Sequence, residues 1–221
     1  GHRMVSDNII LGNGSNEVLE FIVRATVDNK SEVIIPKHSF LVYEIISKLQ
    51  NAKIITSKPD SNKSTDNYLG IDLESIIERI TKKTKLIFIA NPANPTGTYI
   101  KLSKIEKFLK SVPKNISIII DEAYYEYLNP NKNKSAVSLL KKYKNLFVTR
   151  SFSKMYGLAS LRVGYGVSSL DNISKLKMYK QPFNTNNFAQ KAALLALTDH
   201  KFIRQSKENN DIAMNKLIDL F

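Results

Sequence analysis

The sequence predicts an α/β protein: three layers, α/β/α, around a mostly parallel sheet. Three observations predict it. Short runs that are apolar throughout recur along the chain, Leu86 to Ala90 and Ile116 to Ile120 being the clearest. These runs alternate with stripes of apolar residues at helical spacing. Strands apolar on both faces need a layer of helices on each side of the sheet.

In chain order, Val18, Phe21, Ile22 and Ala25 have helical spacing, and Val33 to Ile35 form a strand ended by Pro36. Leu41 to Leu49 read as helix and Lys53 to Thr56 as strand. Pro59 to Gly70 is a polar loop. Leu73, Ile76, Ile77 and Ile80 form an i, i+3, i+4, i+7 stripe. Leu86 to Ala90 is a buried strand, and Leu102, Ile105, Phe108, Leu109 and Val112 make a second stripe stopped by Pro113. Ile116 to Ile120, Leu146 to Val148 and Val163 to Val167 are strands. Helices follow over Leu170 to Tyr179, Ala189 to Leu197 and Phe202 to Phe221, interrupted at Pro182 and over Asn184 to Asn187. No internal repeat is present. Residues 5–200 read as one large domain. Residues 201–221 read as a helix leading toward a small domain outside this sequence, because the amphipathic pattern is still running at Phe221.

A chain of 221 residues, 43% hydrophobic, is long enough to bury a sizeable core. It has no cysteine, which excludes disulfides and thiolate metal sites and suits a reducing cytoplasm. No apolar stretch reaches membrane-spanning length, and no cationic leader precedes an apolar run, so no membrane partner is expected. The net charge of +13 raises the question of nucleic acid. The lysines are scattered, as in Lys82-Lys83-Lys85, Lys132-Lys134 and Lys141-Lys142-Lys144, without aromatic residues interleaved for base stacking. No nucleic-acid partner is therefore expected, although a basic field attracts anionic substrates. The three histidines do not pair at ligand spacing, so no metal is assigned.

The most informative segment runs Thr149-Arg150-Ser151-Phe152-Ser153-Lys154-Met155-Tyr156-Gly157-Leu158-Ala159-Ser160-Leu161-Arg162-Val163-Gly164-Tyr165. It places Lys154 on the connection between two strands. A lysine held there loses solvation, is neutral part of the time, and attacks a carbonyl to form a Schiff base. Ser151, Ser153 and Arg162 supply hydroxyl donors and a guanidinium fork, which is what a phosphate needs. Together they suggest pyridoxal 5'-phosphate. Asp121 ends an apolar strand, where a partly desolvated carboxylate needs a cationic partner. Gly14-Ser15-Asn16 precede a helix whose free amides would bind phosphate, with glycine permitting close approach. Asn94 lies between Pro92 and Pro95, which stiffen its loop. Asn94, Asp121 and Ser151 each lie at or just past a strand end, where ligands of such sheets bind.

The Lys154 segment resembles the lysine signature of fold-type I pyridoxal-phosphate aminotransferases, most closely their histidinol-phosphate aminotransferase branch. Asn91-Pro92-Ala93-Asn94-Pro95-Thr96-Gly97, Asp121-Glu122-Ala123-Tyr124 and Gly12-Asn13-Gly14-Ser15-Asn16-Glu17 agree, in that family's order. The resemblance implies the large, cofactor-binding domain of such an enzyme. It implies that Lys154 holds the cofactor and moves the substrate proton, and that Asp121 pairs with the pyridinium nitrogen. It further implies that Asn94 and Tyr124 donate to the phenolic oxygen and that Phe40 stacks on the ring, where many relatives carry tyrosine. Gly14, Ser15, Asn16, Ser151, Ser153 and Arg162 would hold the phosphate. The implied substrates are histidinol phosphate as amino donor and 2-oxoglutarate as 2-oxo acid, in a cytoplasmic homodimer. The small domain of such relatives, with its substrate-gripping arginine, and their N-terminal segment have no counterpart here. A non-catalytic domain of the same fold, or an aminotransferase of another specificity, therefore stays open at this point.

Overall fold

A computed structural model of the chain describes residues 5–129, 131 and 133–220; Lys132 and Phe221, named above, fall outside them. Its seven strands are β1 (Ile9–Asn13), β2 (Glu32–Pro36), β3 (Lys53–Ser57), β4 (Thr84–Ala90), β5 (Ser117–Asp121), β6 (Leu146–Ser151) and β7 (Val163–Val167). Its α-helices are α1 (Ser15–Thr26), α2 (Val42–Leu49), α3 (Leu73–Ile77), α4 (Leu102–Ser111), α5 (Leu170–Lys177), α6 (Asn187–Thr198) and α7 (His200–Ile218). One sheet contains all seven strands in the order β1-β7-β6-β5-β4-β2-β3. The ladders from β3 through β2, β4 and β5 to β6 are parallel, whereas β7 runs antiparallel to both its neighbours, β6 and β1.

The apolar strands are buried on both faces, as their composition requires. Leu86 and Phe88 of β4 pack in one core with Val18, Leu19 and Ile22 of α1, Tyr43 and Ile46 of α2, and Ile173 and Leu176 of α5. Ile87 and Ile89, one step along the pleat, enter the opposite core with Ile76 of α3 and Ile105, Phe108 and Leu109 of α4. Local chemistry sets several helix ends. The Asp72 carboxylate caps α3 by accepting from the Glu74 and Ser75 amides, and Asn186 caps α6 through the Ala189 amide.

Four details depart from the sequence expectation. β1 was not expected: Leu11 and Asn13 are exposed on this edge strand, and its place depends on pairing with β7, Gly12 opposite Gly164. β6 continues past Val148 to Ser151, because Thr149, Arg150 and Ser151 find ladder partners in Gly164, Tyr165 and Gly166. α3 stops at Ile77; Arg79 crosses to the Thr56 carbonyl, and Ile80 reaches the core from the following turn. α1 begins at Ser15, so Ser15 and Asn16 occupy its first turn instead of preceding it.

The loop over residues 59–70 is as expected, closed by a single bridge between Pro59 and Ile71. α6 and α7 leave much apolar side chain in solvent, Phe188 at 80%, Leu195 at 72% and Ile218 at 65% exposure. Among the described residues no helix is long and apolar enough to cross a membrane.

Candidate active site

Every site residue named from the sequence except Gly14 lines one cavity of about 190 Å³ at the ends of β4, β5 and β6 and the start of α1. The topology produces this: parallel strands deliver their following loops to one edge of the sheet.

Asp121 is the last residue of β5 and is buried. Its Oδ1 accepts from Thr149 Oγ1 at 2.9 Å and from the Ala123 amide at 3.2 Å; its Oδ2 accepts from the Tyr43 hydroxyl at 2.7 Å. Burial pushes the carboxyl above the usual carboxylate range, opposed by the Tyr43 and Thr149 hydrogen bonds, the Ala123 amide and the charge of Lys154. A carboxylate so placed favours a cation, such as a protonated ring nitrogen, over water.

The start of α1 lines the same cavity. Gly14 gives it no side-chain cap, so the first-turn amides face the cavity side without a competing side-chain acceptor. Glu17 Oε2 accepts instead from the Asn13 amide, one residue before the cap, at 2.7 Å. Gly14 has φ 78° and ψ 168°, a region open essentially to glycine alone, and a Cβ there would collide with the Arg162 guanidinium. Gly164 is equally constrained: a Cβ on it would strike the Ser15 amide, so this glycine lets α1 rest directly on β7. Arg162 has a left-handed backbone, φ 56°, with Nη1 donating to the Ala159 carbonyl at 2.9 Å and reaching Ser153 Oγ at 3.5 Å. Ser151 Oγ accepts from the Ser153 amide at 3.0 Å. Helix amides, two hydroxyls and a guanidinium thus lie together in the cavity wall, a donor set suited to a dianion. Gly14→Ala is expected to cost roughly 1–3 kcal/mol of stability from backbone strain alone and to displace Arg162. Urea denaturation measures the first effect and inorganic phosphate affinity the second.

Also in the cavity wall, Asn94 Nδ2 and the Tyr124 hydroxyl lie 3.5 Å apart, close enough to donate to one shared acceptor. The loop carrying Asn94 is held by Asn91, whose side chain accepts from the Ile100 amide at 2.8 Å and donates to the Ile100 carbonyl at 3.0 Å. Phe40 lines the cavity and meets Tyr43 edge-on, centroids 5.8 Å apart. Lys154 Nζ lies 5.3 Å from the Tyr124 ring centroid. The desolvation expected of Lys154 is not seen. The residue lines the cavity yet is exposed, because Phe152 and Met155 take the inward positions of its loop.

Sequence reasoning missed three residues. Tyr43 and Thr149 bond to Asp121, and Asn91 staples the Asn94 loop. The only local signal for Tyr43 was its place three residues after Phe40 in a helix, and for Asn91 its membership of the proline-rich motif. His38 stands apart, Nδ1 3.0 Å from the Leu69 carbonyl. Among the described residues no group of three His, Asp or Glu forms a metal site.

Aminotransferase class I and II is the family whose pattern matches residues 2–221. The chain is 42% identical over 212 residues to histidinol-phosphate aminotransferase 1 of Idiomarina loihiensis, covering 96% of this chain and 56% of that protein. It is 42% identical over 211 residues to the histidinol-phosphate aminotransferase of Pelagibacter ubique, covering 96% and 57%. The chain thus spans little more than half the length of these curated relatives. Among solved structures it is similar to the histidinol-phosphate aminotransferase from Clostridium acetobutylicum, with TM-score 0.79, 32% identity, and 92% of this chain and 58% of that one covered. It is also similar to the Sinorhizobium meliloti enzyme of that name, solved in complex with pyridoxal-5'-phosphate, with TM-score 0.82, 25% identity, and 91% and 53% covered. The mixed seven-stranded sheet, the cavity at its strand ends and these matches along almost the whole chain agree, and the chain belongs to the class I and II aminotransferases.

Proposed function

We propose that this chain is the pyridoxal 5'-phosphate-binding part of an aminotransferase that converts histidinol phosphate and 2-oxoglutarate to imidazole acetol phosphate and glutamate, a step of histidine biosynthesis. One observation supports the cofactor assignment above the others. A buried carboxylate, a lysine and the uncapped start of a helix line a single cavity together with Phe40 and the paired donors Asn94 and Tyr124. A flat heteroaromatic ring with a phosphate arm matches that donor set. Support for the substrate comes from the relatives' names.

Bound there, pyridoxal phosphate would supply the electron sink that acidifies the substrate α-carbon. Lys154 Nζ would be the attachment point for the cofactor, and its amine would serve as general base and general acid for the substrate α-proton. Asp121 would keep the ring nitrogen protonated. Asn94 and Tyr124 would donate to the phenolic oxygen, and Phe40 would cover the ring. Ser15, Asn16, Ser151, Ser153 and Arg162 would hold the phosphate, with Gly14 giving Arg162 room. Residues 5–200 form the large domain, and 201–221 lead toward a small domain. The working unit is a cytoplasmic homodimer, in keeping with the exposed apolar side chains of α6 and α7. Sedimentation reads that state directly, and a monodisperse monomer contradicts it.

Transamination measured with histidinol phosphate against a panel of other amino donors tests the assignment. A donor preferred tenfold over histidinol phosphate overturns the substrate. Absence of pyridoxal-phosphate-dependent α-proton exchange with every donor overturns the reaction. Asp121→Asn is expected to retain the cofactor and slow that exchange by about 3 kcal/mol, the size of effect seen when one preorganised electrostatic partner is lost. An unchanged exchange rate would make Asp121 a strand-end cap.

A further inference from the structure

Asp121 is gripped from both oxygens, and the two grips differ in origin. Thr149 and Ala123, which bond to Oδ1, are its ladder partner and its near neighbour in the chain. Tyr43 comes from α2, and it alone bonds to Oδ2 among the described residues. Its ring is buried and stacked on Phe88 of β4, centroids 4.5 Å apart and planes within 13°. The Phe40 ring stands at 90° to it. A ring clamped on two sides leaves its hydroxyl little freedom, so the 2.7 Å contact fixes where the carboxylate turns.

We propose that Tyr43 is a positioning residue, whose hydroxyl holds the Asp121 carboxylate facing the cavity and whose ring ties that aim to the placement of Phe40. The proposal rests on the cofactor reading for its consequence and on the geometry alone for its cause. Tyr43 is a donor that keeps its proton. Burial, then the Asp121 charge, raise its hydroxyl well above the usual tyrosine range. Its hydrogen bond in turn opposes the burial that raises Asp121. The other titratable groups at this cluster are Lys154, whose charge lowers Asp121, and Tyr124, which acts on Tyr43. Without the Tyr43 hydroxyl the carboxylate turns more freely and its proton is held more tightly, and both changes weaken its hold on a cationic ring nitrogen.

Tyr43→Phe keeps the ring in its stack and removes the hydroxyl alone. The test measures equilibrium binding of pyridoxal phosphate to four proteins: the wild type, Tyr43→Phe, Asp121→Asn and the double variant. Tyr43→Phe is expected to weaken binding about tenfold, the scale of one hydrogen bond to a charged group. In the Asp121→Asn background it is expected to change binding less than twofold, since the two act as a unit. Equal losses in both backgrounds overturn the proposal and make Tyr43 a packing residue. Failure of the wild type to bind pyridoxal phosphate overturns the cofactor reading instead. In that case the Asp121 side-chain carbon, followed by NMR against pH in the cofactor-free chain, decides. It is expected to titrate at higher pH in Tyr43→Phe, and an unmoved titration overturns the proposal.

Discussion

Lys154→Ala is expected to abolish covalent attachment of pyridoxal phosphate while leaving the domain folded. Both halves follow from where Lys154 sits. Lys154 is exposed, and among the described residues its one cation–π partner is Tyr124 at 5.3 Å, so truncation removes little packing. Substitutions at such positions change stability by about 0.5 kcal/mol or less. Among the described residues no other lysine lines the cavity, so none of them can replace the amine. Borohydride reduction followed by digestion and mass spectrometry reads the outcome. The wild type carries its label at Lys154, and the variant carries none above the background of surface lysines. A label spread evenly over surface lysines in the wild type contradicts the assignment. A variant that fails to melt cooperatively would show that the loop needs its lysine for structure.

Arg150→Met is expected to produce the largest loss of stability. Arg150 follows Thr149 on β6 and therefore points to the opposite face from the cavity-side contact with Asp121. There it donates from Nε and Nη2 to Glu122 Oε2 and from Nη1 to Glu126 Oε1, each at 2.8 Å, with its guanidinium 3.9 Å from the Tyr125 ring centroid. Glu122 also accepts from Ser135 Oγ and the Ala136 amide, both at 2.7 Å. The cluster thus pins the excursion that carries Tyr124. Removing the cation leaves the buried Glu122 carboxylate and the partly buried Glu126 carboxylate without their partner, a change that costs roughly 3–5 kcal/mol. Burial raises the Glu126 carboxyl above its ordinary value of 4.5, and Arg150 holds that rise in check. Without Arg150 it rises further. A group raised in the folded state binds its proton more tightly there than in the unfolded chain. Stability is then lost as pH climbs from the ordinary value through the raised one. The cost of Arg150→Met is therefore expected to be larger at neutral pH than near pH ~4. Urea denaturation at the two pH values checks both size and sign. A variant within about 1 kcal/mol of wild type at neutral pH, or a loss that shrinks on raising pH, contradicts the account.

Much of the cavity is legible in the sequence alone. Each motif is a short-range object: a strand ending in Asp121, a proline-braced loop around Asn94, a glycine before a helix, a lysine between two strands. In a parallel sheet such strand ends meet at one edge, so recognising the strands was nearly enough to bring the motifs together. What failed was of another kind. β1 carries a run too short and too exposed to announce itself, and it exists because β7 offers a partner. The polar end of β6 looked like loop for the same reason. Lys154 reads as a candidate for burial from its flanks, yet Phe152 and Met155 take the inward places.

By itself, the sequence determined the alternation of buried strands and amphipathic helices, the three-layer class that follows, and the kinds of chemical group at the strand ends. Each of these depends on patterns within a window of a few residues to a dozen, where periodicity and turn chemistry act. Only the tertiary structure decided that β7 runs against its neighbours, that Tyr43 meets Asp121 across 78 positions of sequence, and that Arg150 is locked between Glu122 and Glu126. These contacts depend on strand order and register, which arise from the whole sheet at once. A hydroxyl at position 43 carries no mark of the carboxylate it will find, because α2 packs its buried face against β4 and Asp121 arrives on the neighbouring strand.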